Sequence, residues 1–484
     1  MTLQAPTLQT SRALDAAIAV ARFGLGARPG ELAQAGADPR GWLKSQIARD
    51  GADQPQGSLA SSRDGFVTYR TAVSEARTFQ RELAGAAPTP MTDTGGAADA
   101  TAERIKAERR LLLKPIRDGV VAEIQARAQL GATTRSPFRE RWALFWANHF
   151  TVSAAKPQAA ALAGPFEREA IRPHVFGRFE DLLVSSSTHP GMLAYLDQAR
   201  SAGPDSVAGQ RHEMGLNENL AREIMELHTV GPDAGYAQAD VTEFARAPTG
   251  YSIGTDRDGA ERAGAELFRP NLHEPGARKI MGRTYPEGGA EQARAVLRDL
   301  AANPRTADQI ARRLAIHFVA DAPPPALVAR LREAYLRSGG DLAIVAAALI
   351  DAPEAWSPTA GKFKQPYEFL VSSYRAVGVV PADPFPDVIQ PLTQFGQRPF
   401  AAPQPNGWSD QASDWIAPDA LVKRMTWASN FALAHAPQTT APADLASAVL
   451  GDRLTPPTRL AIARAETRPE ALALLLMSPE FQRR

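Results

Sequence analysis

The chain has 484 residues, with Lys+Arg 54 against Asp+Glu 53 and a formal net charge of +1, a balance that argues against a broad nucleic-acid surface. It holds no cysteine, which excludes disulfides, thiolate catalysis, iron–sulfur clusters and thiolate zinc sites together. A hydrophobic share of 44% and a charged share of 22% are those of a globular protein, and the length suffices for two or three average domains or one large helical one.

At the N-terminus no basic start precedes an apolar core. Residues 16–21 are apolar, but the run is short and leads into Arg22 and a Gly/Pro stretch. This reads as no signal peptide and no membrane span, with the cytoplasm as the expected compartment; export together with a partner stays open. Residues 14–23 and 31–49 read as short helices around the turn Gly24-Leu25-Gly26-Ala27-Arg28-Pro29-Gly30. The turn has the glycines of a phosphate loop, but no strand precedes it and no Gly-Lys-Ser/Thr follows, so it reads as an interhelical turn.

Residues 51–62 are polar and turn-rich, and residues 84–102 are low in complexity and read as a mobile loop. The basic stretch 104–117 is offset by Glu103 and Glu108 and reads as a solvated helix face. Helical pattern runs from 103 to 228, broken at Pro115, Gly131, Pro137, Pro173 and Pro190. Residues 251–289 lose that period and gain Gly, Pro and Asp. Helices return over 292–356, with stops at Pro304, Pro323 and Gly339-Gly340. A long Pro/aromatic loop is expected over 381–415, and the remainder is mostly helical. No fixed-period repeat and no long apolar/polar alternation is present. The expected class is mainly α: a multi-helical globular body with a small irregular or β-hairpin insertion at 251–289. An N-terminal helical segment, 1–102, would carry the low-complexity loop, and 103–484 would form the main helical domain.

The densest chemistry is the run Asn217-Glu218-Asn219-Leu220-Ala221-Arg222-Glu223-Ile224-Met225-Glu226-Leu227-His228-Thr229. Taken as one α-helix, it aligns Leu216, Leu220, Ile224 and Leu227 in an apolar stripe. Glu218, Arg222 and Glu226 stack on a face turned away, the pattern of an exposed ion-pair ladder. Glu223 falls on one edge of the stripe, with Asn217 and His228 on the other. Side chains at such edges are half buried, where pKa values shift: Glu223 suits a general acid, and His228 a base or a ligand. The bland alternative for His228 is a cation at a helix C-terminus.

A second stripe, Trp142, Phe145, Trp146 and His149, lies at helical spacing and reads as core. A buried His149 needs a polar partner, and a carboxylate of the first run is the natural choice. His189 precedes Pro190 at the start of a short helix ending at Asp197. His273 falls in the irregular insertion, and His317 on an apolar face with Ile310 and Leu314. No pair has the spacing of a familiar metal-binding helix, so metal and cofactor stay open. Trp408 and Trp415 lie in a loop, where tryptophans can stack sugars or bases or plug the end of a helical core, the second being the favoured reading.

Several of these segments, in this order, resemble one family. They are Arg22-Phe23-Gly24, Phe145-Trp146-Ala147-Asn148-His149-Phe150, His189-Pro190-Gly191-Met192 with Tyr195-Leu196-Asp197, and Gly215-Leu216-Asn217-Glu218-Asn219 with Ala221-Arg222-Glu223. Next come Glu226-Leu227-His228-Thr229 with Gly231, Tyr236, Gln238, Asp240-Val241 and Ala245-Arg246, then His317-Phe318-Val319-Ala320-Asp321 and Asn406-Gly407-Trp408. The chain resembles, over most of its length, the bacterial family called domain of unknown function 1800. It departs at Pro248-Thr249-Gly250-Tyr251, where Leu-Thr-Gly-Trp is usual, and at Asn303-Pro304, where His-Pro is common. The resemblance implies a bacterial origin and partnership with a sulfatase-like protein; it implies no activity, cofactor or catalytic residue.

The candidate site drawn from these segments takes Glu223, His228, His149, Glu218, Glu226 and Arg222 as catalytic groups. Asn148, Asn217, His189, Asp197, Asp240 and Trp408 would contact substrate. Two functions fit. One is a hydrolase using carboxylate and imidazole; the other is a non-catalytic binding or assembly protein in which the same groups form a buried network. An enzyme should open Glu223 or His228 into a cavity, whereas a structural network should be sealed and hydrogen-bonded.

Overall fold

The computed structural model describes residues 11–86, 95–212, 214–359 and 361–484. Among them are 24 α-helices, while the named strands form only two two-stranded sheets, so the class is mainly α. Both sheets are antiparallel and fall in the expected insertion. Tyr251–Ile253 pairs with Glu266–Phe268, Tyr251 opposite Phe268, and Arg278–Ile280 pairs with Arg283–Tyr285.

Proline starts many of the helices, among them Pro137–His149, Pro190–Tyr195, Pro304–Phe318, Pro366–Val377 and Pro418–His435. At the first helical position its fixed φ suits the helix, and its missing N–H has no partner to lose. In two of these helices the side chain before proline then caps. His189 Nδ1 accepts from the Gly191 N–H at 3.0 Å, and Asn303 Oδ1 accepts from the Arg305 N–H at 2.9 Å. The two X-Pro starts are one local device, so the asparagine at 303 keeps the cap that a histidine would supply.

Two apolar cores support the body. One gathers Ile18, Phe23, Leu43 and Phe66 with Trp142, Trp146, Phe179 and Leu314. The other gathers Ile124, Phe369, Phe431 and Leu475. Within the first, the Trp142 ring stacks on Phe176 at 5.9 Å and its indole N–H donates to the Val175 carbonyl at 2.7 Å. Burial of each such side chain contributes about 1.5–3 kcal/mol. Buried ion pairs link distant segments: Arg375 with Glu31 at 2.8 Å, and Glu368 with both Arg141 and Arg484.

Three local expectations change. The 31–49 segment is not one helix: Glu31–Ala37 stops at Asp38, whose carboxylate accepts from the Gly41 N–H at 3.0 Å and opens Pro39–Lys44. Of the expected loop at 84–102, residues 87–94 lie outside the described residues, but the flanks are helical, in Ser62–Ala86 and Gly95–Leu112. The expected loop at 381–415 contains a π-helical turn, Pro384–Ile389, and a short α-helix, Gln390–Gln394. Asp383 caps the first of these by accepting from the Phe385 N–H.

Candidate functional site

The run 217–229 is not one α-helix. Asn217 Oδ1 accepts from the Asn219 N–H at 2.9 Å, an α-helix spans Asn219–Glu223, and a wider π-helical turn spans Ile224–His228. Thr229 Oγ1 donates to the Ile224 carbonyl at 2.6 Å, and the Gly231 N–H to the Met225 carbonyl at 2.9 Å, which satisfies the carbonyls the wide turn frees. Each residue of a π turn advances by less than the α-helical angle, so the phase slips after Ile224. His228, expected at a half-buried edge, rotates into the stripe of Leu220 and Ile224 and is 1% exposed. Leu227, expected in that stripe, is only half buried.

His149 is fully buried, and its Nε2 lies 3.1 Å from the backbone oxygen of His228. A carbonyl can only accept, so Nε2 carries the proton. The partner is therefore a main-chain oxygen and not the expected carboxylate. His149 Nδ1 and both ring nitrogens of His228 have no hydrogen-bond partner among the described residues. Burial, reinforced by the Arg313 charge, holds His149 well below the usual imidazole range and pushes His228 down to about 3. Both rings are neutral at physiological pH. The terminal-cation reading of His228 fails for the same reason.

On the outer side, Arg222 pairs with Glu218 at 3.0 Å and with Glu226 at 3.5 Å, the expected ladder. Glu218 also accepts from Thr242 Oγ1 at 2.6 Å and Gln238 Nε2 at 2.8 Å, and the Thr242 bond leads the causes that lower its pKa. Glu223 is half buried and its carboxylate accepts no hydrogen bond among the described residues. Burial, with the Glu226 charge behind it, raises its pKa. The nearby Tyr195 phenol is pushed up to about 12 by burial and then by Glu223. The two edge positions thus part company: Glu223 keeps its place, and His228 is sealed.

The other predicted contacts hold the frame at separate places. Asn148 clamps the Trp408 backbone, its Nδ2 donating to the carbonyl at 2.9 Å and its Oδ1 accepting from the N–H at 2.8 Å. Gly407, at φ 77°, makes that approach possible: a Cβ there would sit 2.4 Å from the Asn148 carbonyl oxygen. Asn217 Nδ2 reaches the Leu196 carbonyl at 3.4 Å, next to Asp197, which pairs with Lys156 at 2.5 Å. Asp240 accepts from the Ala237 and Met281 N–H groups at 2.8 and 2.7 Å, tying a helix start to a hairpin turn. His189 Nε2 meets Glu169 at 3.1 Å while its Nδ1 caps, so neither nitrogen is free.

Three hollows surround this frame. Asn148 and Trp408 line a small cavity of ≈ 60 Å³ with Tyr367 and Phe400. Asp197 lines an open cleft of ≈ 550 Å³, and His189 another of ≈ 740 Å³. Glu223 and His228 line none of the three. Among the described residues no three His, Asp or Glu side chains come together as a metal-holding group.

One polar pair was invisible to sequence reasoning. His317, read as plain core, binds Asp410 through Nδ1 at 2.7 Å. Burial brings the ring down to about 4, while His317 and Lys362 keep the Asp410 carboxyl below its usual range. The pair is separated by 93 positions, and no local pattern marks Asp410.

Fold and site together define a large mainly helical protein with sealed imidazoles and open, polar clefts. Among the described residues no helix is long and apolar enough to cross a membrane. The family model described as "Protein of unknown function (DUF1800)" matches residues 18–483, nearly the whole chain, and the chain belongs to that family. No curated protein and no solved structure matches it.

Proposed function

We propose that the chain is a non-catalytic binding or assembly protein and that its 219–228 helix is part of the scaffold. The observation that carries this reading is the burial of His149 and His228, held neutral and outside the three hollows. A general base must reach the proton it removes, and a sealed ring cannot. The sulfatase-like partner rests on the family resemblance alone, and co-purification of the two chains is its direct test.

A hydrolase is the second reading, and one observation favours it: the raised Glu223 beside Tyr195. Glu223→Gln separates the two. It preserves shape and removes the charge of a carboxylate that burial already disfavours, so the unfolding midpoint should hold or rise slightly. Wild type and variant are assayed on chromogenic esters, phosphates, sulfates and glycosides. The binding reading expects no turnover that distinguishes them. Turnover by the wild type that disappears in a folded Glu223→Gln would establish the hydrolase instead.

A further inference from the structure

The ≈ 550 Å³ cleft has an unusual charge. One wall is the helix Ser62–Ala86, which brings Arg70, Ser74, Arg77 and Arg81 to the cleft at i, i+4, i+7 and i+11, a single helical face. Arg70 and Arg81 are about 16 Å apart along the axis at 1.5 Å per residue. The facing wall brings Arg200, from the turn Gln198–Arg200, and Arg269, just after the strand Glu266–Phe268, with the hydroxyls of Ser252 and Thr255.

Little of this charge is neutralised. The one carboxylate in the lining, Asp197, is taken by Lys156 at 2.5 Å. Arg269 is held by Asp258 at 2.6 Å. Arg70, Arg77, Arg81 and Arg200 have no ion pair among the described residues. Among the described residues Arg81 bonds only within its own helix, to the Arg77 carbonyl and Thr78 Oγ1. Lone arginines on a convex helix face are ordinary solvated charge. Here four guanidiniums with no ion pair among the described residues converge from two walls of a concavity, in a chain whose net charge is +1. Like charges around a hollow add their fields and concentrate counter-ions there. Guanidiniums also match oxyanions bidentately.

We propose that this cleft binds a small ligand carrying two or more oxyanion groups, phosphate or carboxylate, between the Arg70–Arg77–Arg81 face and Arg200. The volume is that of a small-molecule site. The proposal rests on the binding reading and gives it a ligand class.

Isothermal titration of the full chain with tripolyphosphate and with citrate tests it, at low and at physiological salt. The comparison set is wild type, the double variant Arg70→Gln/Arg77→Gln, and Arg464→Gln, an exposed arginine elsewhere. Both targeted arginines are exposed, so the unfolding midpoint should match wild type. Saturable binding of one equivalent that weakens with salt, falls at least about tenfold in the double variant and stays unchanged in Arg464→Gln is the expected result. The probe that binds more tightly identifies the oxyanion. No saturation by either probe up to about 1 mM, or equal binding by wild type and double variant, would overturn the proposal. That failure would leave the non-catalytic reading standing, since only Glu223-dependent turnover removes it.

Discussion

Arg172 and His228 are both sealed in the interior, yet they are treated in opposite ways. Arg172 uses all five of its N–H donors: on Glu140 at 2.8 and 2.8 Å, on Glu167 at 3.0 and 2.7 Å, and on the Asp53 carbonyl at 2.7 Å. His228 has two ring nitrogens and no partner for either among the described residues. A charge is thus better accommodated here than a neutral ring, because geometry rather than formal charge decides whether desolvation is repaid. Each orphaned imidazole nitrogen costs about 1–3 kcal/mol. The arginine cluster is a fitted joint between chain segments, whereas the histidine is retained at a cost that packing alone does not explain.

The contrast breaks first at Arg172. Arg172→Met keeps much of the volume but strands the Glu140 carboxylate in the core and leaves Glu167 with Arg127 at 3.2 Å as its remaining ion-pair partner among the described residues. It should destabilise the protein by about 3–5 kcal/mol, as loss of one member of a buried pair does. Urea unfolding at pH 7 measures this. A loss under about 1 kcal/mol would mean that the joint is wet and the contrast with His228 false.

At His228 the effect should be smaller and depend on pH. Its folded pKa of about 3 lies below the ordinary 6.5. Between those values the unfolded chain binds a proton that the folded chain does not, so stability falls as pH drops, by up to about 1.4 kcal/mol per unit. His149 acts in the same direction. His228→Leu removes one proton's share of that slope along with both orphaned nitrogens. At pH 7 the misfit of leucine in a site shaped for imidazole offsets much of the gain from removing those nitrogens, and from pH 7 to pH 5 the difference should move by about 2 kcal/mol in favour of the variant. Unfolding curves at pH 7, 6 and 5 decide this. An unchanged slope would show that the folded ring takes up a proton and has a partner.

The sequence carried the helical class, the insertion and the burial of His149, because each follows from local period: aromatics at i, i+3, i+4 and i+7 have to find a core, and residues 251–289 lack any such period. The ladder and the Glu223 edge were legible for the same reason, since both lie on the α-helical part before the π turn. His228 was misplaced because nothing in Ile224-Met225-Glu226-Leu227-His228 announces a wide turn; tertiary packing and the Thr229 hydroxyl select it. The His317–Asp410 pair and the arginine cleft were out of reach for another reason. They join segments distant in the chain, and one sequence holds no record of such meetings. Arg70, Arg77 and Arg81 share a helical face on paper, but only the fold sets Arg200 and Arg269 across from them.

The smallest effect lies on the outer face of the same helix, where the Glu218–Arg222–Glu226 ladder is partly solvated. Exposed pairs at i, i+4 contribute about 0.2–0.5 kcal/mol. The two halves should still differ. Arg222 meets Glu218 at 3.0 Å but Glu226 at 3.5 Å, and the side chains keep 35%, 29% and 34% of their surface in water. Glu218 also binds Thr242 and Gln238, which belong to the next helix, Gln238–Arg246. Glu218→Ala alone would therefore report an inter-helix tie together with the ion pair and overstate the ladder. Double-mutant cycles isolate the pair terms. The Glu218–Arg222 coupling should fall near the top of that range and the Arg222–Glu226 coupling near zero. Both should shrink in 0.5 M salt, which shortens the screening length to only a few ångströms. A coupling above about 1 kcal/mol that salt leaves untouched would show that the outer face is covered. The division of this helix into a sealed inner side and a solvated outer one would then fail.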